Sequence, residues 1–200
     1  MLSPDTRPFR FGVMVNTRDA TRDTTLELAM RAEAAGISIL LGTDHLGRWS
    51  SLPLLQLAAE HTGLRVGTAV INNELRHPAL LAQELATLDL VTDGRLEVGI
   101  GAGWDRSEME AVGMVFQPPP RRVDRLEASV RLLKQALGEG RIERPADAAY
   151  PAMRLDGMPR SVQRPHPPIL VGGGRRRLLQ LAAREANIVA LDPRSLPDGG

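Results

Sequence analysis

Asp93-Gly94-Arg95-Leu96-Glu97-Val98-Gly99-Ile100-Gly101-Ala102-Gly103-Trp104-Asp105 is the stretch whose reading decides the fold. Asp-Gly is a turn signal, and Arg95 to Gly101 after it reads as a strand. The strand runs out into glycines and then Trp104-Asp105. Taken as a dinucleotide fingerprint, Gly-x-Gly-x-x-Gly would need its third glycine at Trp104, and the unit is not the first strand-helix-strand of the chain, so a classical NAD site is rejected. The glycines imply instead a close backbone approach to a flat ring or a phosphate, with Trp104 either walling that pocket or packing under the long loop.

Working outward, the same strand-then-helix rhythm repeats on both sides. Arg10 to Asn16 reads as a first strand, followed by a helix from about Thr24 to Ala35 that stops at Gly36. Ile37 to Thr43 is a second strand and Leu52 to His61 a second helix, opened by Ser50, Ser51 and Pro53. Leu64 to Ile71 is the third strand and Pro78 to Val91 its helix. The quoted strand is the fourth, and Arg121 to Leu137 is a long amphipathic helix after it. Ile169 to Val171, a helix over Arg175 to Glu185, and Asn187 to Leu191 complete about six βα units. Between them, residues 138–168 form a Pro-, Gly- and Arg-rich insertion before the fifth strand, with room for a short hairpin around Tyr150 to Leu155. Single helices between strands imply parallel strands with right-handed crossovers. That order suits a doubly wound sheet or an incomplete eight-fold barrel, and in both the ligand sits beyond the C-terminal strand ends.

Composition removes several alternatives. The chain of 200 residues is 42% hydrophobic, enough for a single domain over 1–200 with one sizeable core. Its formal net charge of +1 provides no field for nucleic acid or an anionic membrane. Cys is absent, which removes disulfides and thiolate chemistry and is consistent with a cytoplasmic location. The start MLSPDTRPFRFG has no apolar core of a signal peptide, and no apolar run approaches a membrane span. The histidines, His45, His61, His77 and His166, form neither His-x-His nor His-Glu-x-x-His, so no metal site is expected.

The chemistry-bearing residues gather at the strand ends. Asn16 closes the first strand; Thr43-Asp44-His45, with Arg48-Trp49 beyond, closes the second; Asn72-Asn73 closes the third. Gly101-Ala102-Gly103-Trp104 closes the fourth and Gly172-Gly173-Gly174-Arg175 the fifth. An imidazole transfers protons near neutrality, which makes His45 the candidate acid/base beside Asp44. The plainer reading is an Asp capping a turn and a His filling space. Gly172 to Gly174 lead into a helix start, a place that favours an anion; the plainer reading there is a flexible turn.

Asp44-His45-x-x-x-Trp49, Val66-Gly67-Thr68, Arg76-His77-Pro78, Asp93-Gly94-Arg95-Leu96-x-x-Gly99-x-Gly101-x-Gly103-Trp104 and Pro165-His166-Pro167-Pro168-Ile169-Leu170-Val171-Gly172-Gly173-Gly174 together resemble the luciferase-like monooxygenase superfamily. The subgroup they most resemble is the deazaflavin-dependent one. The resemblance implies a TIM (β/α)8-type barrel, coenzyme F-420 (a deazaflavin) as cofactor with FMN as the alternative, a small-molecule substrate, and a homodimer or self-associating chain. It places His45 as the acid/base residue. Asp44, Ala69, Val70, Asn72, Gly101, Ala102, Gly103 and Gly172 to Gly174 would contact the cofactor, with a strand bulge at Ala69-Val70. Asn16, Trp49 and Trp104 would face the substrate. Family members run on through a seventh and an eighth strand, so the expected barrel is incomplete. The alternative to an active enzyme is a truncated, non-catalytic relative that binds cofactor or pairs with a full-length subunit.

Overall fold

The computed structural model describes residues 9–191. Strands and helices alternate as β1 (Gly12–Val15), α1 (Arg22–Ala34), β2 (Ile39–Gly42), α2 (Ser51–His61), β3 (Arg65–Thr68), β4 (Ile71–Asn72) and α3 (Pro78–Val91). They continue as β5 (Leu96–Gly101), α4 (Arg106–Ala111), α5 (Pro119–Glu139), β6 (Arg141–Arg144), β7 (Met153–Asp156), β8 (Ile169–Gly172), α6 (Arg176–Glu185) and β9 (Ile188–Ala190). The main sheet runs β1-β2-β3-β5-β8-β9, every pair parallel, with β4 extending the β3 stave against β5. Each new strand adds to the same edge. A doubly wound sheet must reverse its strand order once, and this one does not, so the winding is that of a (β/α) barrel with six staves.

Packing follows from the alternation of the strands. Leu40, Val66, Leu96, Val98, Ile100, Ile169 and Val171 turn to the helix layer and are fully or almost fully buried. Leu126, Val130, Leu133 and Leu137 of α5 recur at helical spacing, and with Leu81 and Leu85 of α3 they cover β5 and β8. A second apolar cluster joins α1 and α2 to β1, β2 and β3 around Val15, Ala29, Leu55 and Val66. On the opposite, inner face the N-terminal end is filled by charge: the buried Glu97 accepts from Arg10 at 2.5 Å and from Arg65 at 2.6 Å.

Between β3 and β4 the ladder is interrupted. Thr68 Oγ1 donates to Gly99 O at 2.7 Å and accepts from Gly99 N–H at 2.9 Å, so its side chain replaces the missing backbone pair. Ala69 and Val70 bulge out of the stave, and the peptide joining them is cis. The insertion differs from the expected loop. Its hairpin pairs Arg141–Arg144 with Met153–Asp156, so the first strand starts directly after α5 and Tyr150 sits in the connecting loop. Gly140, at φ 73°, makes the reversal from α5 possible. The return segment is held by the buried Asp89, which accepts from the N–H groups of Val162 and Gln163 and from the Gln163 side chain. Among the described residues no helix is long and apolar enough to cross a membrane.

Candidate active site

A cavity of about 350 Å³ opens at the C-terminal ends of β2, β4, β5, β8 and β9. Every expected site residue except Asn16 and Trp49 lines it. A larger cavity, about 850 Å³, lies on the outside between α5 and the β6–β7 hairpin, where Arg131, Lys134 and Arg144 face Glu127, Glu139 and Glu143. That crevice is net acidic, with Asp124 and Asp147 also in its wall and its basic groups held in ion pairs such as Arg131–Glu127 and Arg144–Asp147, whereas the strand-end cavity collects the groups able to do chemistry.

Asp44 and His45 leave β2 in different directions. Asp44 is 8% exposed, and its Oδ2 accepts from Arg76 at 2.6 Å and from the Asn72 N–H at 3.1 Å. Its carboxylate therefore pins the β4 turn. His45 points across the cavity, where its Nδ1 lies 3.1 Å from Glu108 Oε1. The Trp104 ring meets the imidazole edge-on, with centroids 5.9 Å apart. A carboxylate acceptor at Nδ1 fixes the proton of a neutral imidazole on that nitrogen and leaves Nε2 to receive one.

Glu108 was not anticipated from the sequence. It rides on α4, a six-residue helix that the charged run Arg106-Ser107-Glu108 did not disclose. The signal was nonetheless present: Asp105 is its N-cap and accepts the Glu108 N–H, the Asp-x-x-Glu spacing of a capping box. The Ser107 hydroxyl and the Glu108 N–H hold the Asp105 carboxyl below the usual carboxylate range.

The glycines of β5 make room for the neighbouring stave. A Cβ on Gly99 would fall 1.8 Å from Thr68 O, and one on Gly101 2.7 Å from Val70 Cγ2. The bare stave thus admits the bulge, and Val70 forms the apolar floor of the cavity between Gly101 and Gly172. Gly103, at φ 74°, lets the chain close on Asn72, whose Oδ1 caps the following turn through the Glu74 N–H at 3.0 Å. The buried Arg122 binds the carbonyls of Ala102 and Gly103 and stacks on Phe116 at 4.1 Å, which fixes the loop that carries Trp104.

At the other wall, Gly172, Gly173, Gly174 and Arg175 precede α6. The Gly173 N–H donates to Ala190 O at 2.9 Å, so it is spent on the sheet. The amides of the first α6 turn have no carbonyl above them within the helix, and Arg175 lines the same wall. Ala69, Val70, Leu178 and Ala190 give the cavity an apolar surface between that helix end and His45. These residues fit a flat ring carrying a phosphate. Asn16 lies outside the cavity, bonded through Nδ2 to Asp19 at 3.1 Å, and Trp49 is 62% exposed on the neighbouring loop.

A family model described as luciferase-like monooxygenase matches residues 7–198. The chain is 32% identical over 152 residues to an F420-dependent glucose-6-phosphate dehydrogenase of Kineococcus radiotolerans, covering 71% of this chain and 45% of that protein. It is 35% identical over 171 residues to an FMNH2-dependent dimethylsulfone monooxygenase of Pseudomonas putida, covering 81% of this chain and 46% of that one. Among solved structures, the coenzyme F420 dependent tetrahydromethanopterin reductase of Methanopyrus kandleri superposes with a TM-score of 0.81 at 25% identity, over 92% of this chain and 55% of its own. The chain thus spans about half the length of the relatives it matches.

Proposed function

The chain belongs to the luciferase-like monooxygenase family, and from that premise we propose that it is an oxidoreductase using coenzyme F-420, with FMN as the alternative, on a small organic substrate. The observation that carries the reading is a single cavity with a proton-bearing pair, His45 and Glu108, on one side and a helix end suited to an anion on the other, separated by the apolar floor of Val70. The names of the dehydrogenase and reductase relatives favour the deazaflavin; that of the dimethylsulfone monooxygenase favours FMN.

Ala69, Val70 and Leu178 would offer surface to the ring, and the α6 start with Arg175 would face the phosphate. When bound, such a cofactor supplies hydride transfer or oxygen activation. The chain's own residues do the rest. His45 holds or releases a proton at Nε2, Glu108 keeps the ring oriented through Nδ1, and Asp44 with Arg76 keeps the β4 turn and its bulge in place. Trp104 meets the imidazole edge-on at the cavity wall.

Titrating the purified chain with F-420 and with FMN, each followed by its own visible absorbance, tests the reading. Saturable binding of one of them, weakened by Arg175→Glu, is expected. Absence of binding by both would end it.

A further inference from the structure

A second cavity adjoins the first. It is a shallow, open recess of about 480 Å³ and shares Asp105 and Glu108 with it, so the two carboxylate-bearing residues of the α4 start form the partition. Its other wall is made by Arg18, from the loop after β1, and Arg48, from the loop after β2. The two loops form one rim: Trp49 N–H donates to Thr17 O at 3.0 Å, and the Thr17 and Thr43 hydroxyls lie 3.1 Å apart. The Arg18 N–H is itself held by Asn16 Oδ1 at 3.1 Å.

The formal charges balance, Arg18 and Arg48 against Asp105 and Glu108, but the two pairs are not joined in ion pairs. Glu108 is engaged by His45, and Asp105 by the Ser107 hydroxyl and the Glu108 N–H. Among the described residues no carboxylate comes within the 4.0 Å of an ion pair to Arg18 or Arg48. Two guanidinium forks therefore line a recess beside the reacting groups with their donors open. Such forks match the oxygens of carboxylates, phosphates and sulfonates. The recess also lies across the partition from the Gly172–Arg175 wall, which the proposed function assigns to the cofactor phosphate.

We propose that Arg18 and Arg48 form a subsite for an anionic oxygen group on the substrate, which holds the substrate's far end while its reacting carbon lies beside His45. The proposal rests on the redox reading of the strand-end cavity. It narrows the substrate class to small organic anions.

The test uses the Trp104→Phe chain, in which Trp49, next to Arg48, is the remaining tryptophan. Sodium phosphate is titrated against sodium chloride at constant ionic strength while Trp49 emission is followed. A saturable change is expected, with its dissociation constant raised at least about tenfold by Arg18→Gln with Arg48→Gln, since each fork contributes a charge-assisted contact. Cofactor titration of the same double variant should match the parent. A response that never saturates, or one that survives the double substitution, overturns the subsite. Failure of the parent to bind F-420 or FMN while phosphate still saturates Trp49 would overturn the redox reading and leave the anion site standing.

Discussion

Glu108 Oε1 stands 3.1 Å from His45 Nδ1, although the two residues lie 63 positions apart and follow different strands. The pair is mostly buried, with side-chain exposures of 10% and 17%. Such a contact orients an imidazole rather than merely filling space. His45→Ala should lower turnover by about 10²- to 10⁴-fold, the usual contribution of a positioned acid/base group, with little change in cofactor affinity. Glu108→Gln should lower turnover by about 10- to 100-fold, as loss of an orienting partner does. The ¹⁵N shifts of the His45 ring should report Nδ1 protonation in the parent and a mixture of tautomers in Glu108→Gln. Unchanged steady-state rates for both variants would remove the pair from the mechanism.

Gly173 carries a structural role that a phosphate-loop reading overlooks. At φ 153° its missing Cβ would fall 2.0 Å from Leu178 Cδ2, and its N–H closes onto β9. Gly173→Ala should therefore destabilise the fold by about 1–3 kcal/mol, the scale of a strained backbone position. Urea unfolding measures this. An unchanged midpoint would mean that Leu178 repacks at no cost and that the glycine serves the ligand alone.

The buried Glu97 predicts an acid limb to stability. Burial pushes its carboxyl up, but the bonds from Arg10 and Arg65 outweigh that and hold it below the usual glutamate range. A group lowered in the folded state adds stability that is fully present above its unfolded value and is lost as pH falls through the folded one. The urea midpoint should accordingly fall as pH drops below about 4.3, the ordinary glutamate value. In Glu97→Gln the midpoint should be lower at neutral pH, and its further decline on acidification shallower. An acid limb of equal steepness in the variant would assign it to other carboxylates.

Why some of this was legible in the sequence and some was not has a physical basis. The staves were readable because they are short apolar runs alternating with helices, the first of which ends on its own stop signal, Gly36. The choice between a barrel and a doubly wound sheet was not, because it depends on which edge each strand joins, and no single segment encodes that. His45 and the cavity-lining glycines were placed by the rule that ligands gather at strand ends. Glu108 escaped because α4 buries only Met109 and so shows no apolar stripe. The fit of Gly99 and Gly101 against Thr68 and Val70 escaped because those neighbours come from another stave.

The open sides of the sheet bear on association. β1 and β9 each pair with one neighbour among the described residues, and Phe11, Met14, Val189 and Leu191 near them are exposed. Unpaired strand edges template further pairing. Sedimentation of the 200-residue chain should show species larger than a monomer, reduced by Met14→Lys. A strictly monomeric boundary at every concentration would argue that these edges are covered.

The two tryptophans should report separately on the two halves of the rim. Trp104, though 75% exposed, lines the strand-end cavity 5.9 Å from the His45 ring, whereas Trp49, 62% exposed, does not line it. A flat aromatic ring bound on the Val70 floor comes within packing range of Trp104 and not of Trp49. Saturating cofactor should consequently quench chiefly Trp104. In Trp49→Phe most of the quenching should persist; in Trp104→Phe most of it should vanish while binding, followed by cofactor absorbance, remains. Salt should raise the dissociation constant through the helix-end contribution, which is screened, and leave the quenching at saturation nearly unchanged, because the apolar contact is not. Equal quenching of both tryptophans would place the ring nearer the Arg48 loop than the glycine wall, and no quenching of Trp104 would move it off the Val70 floor altogether.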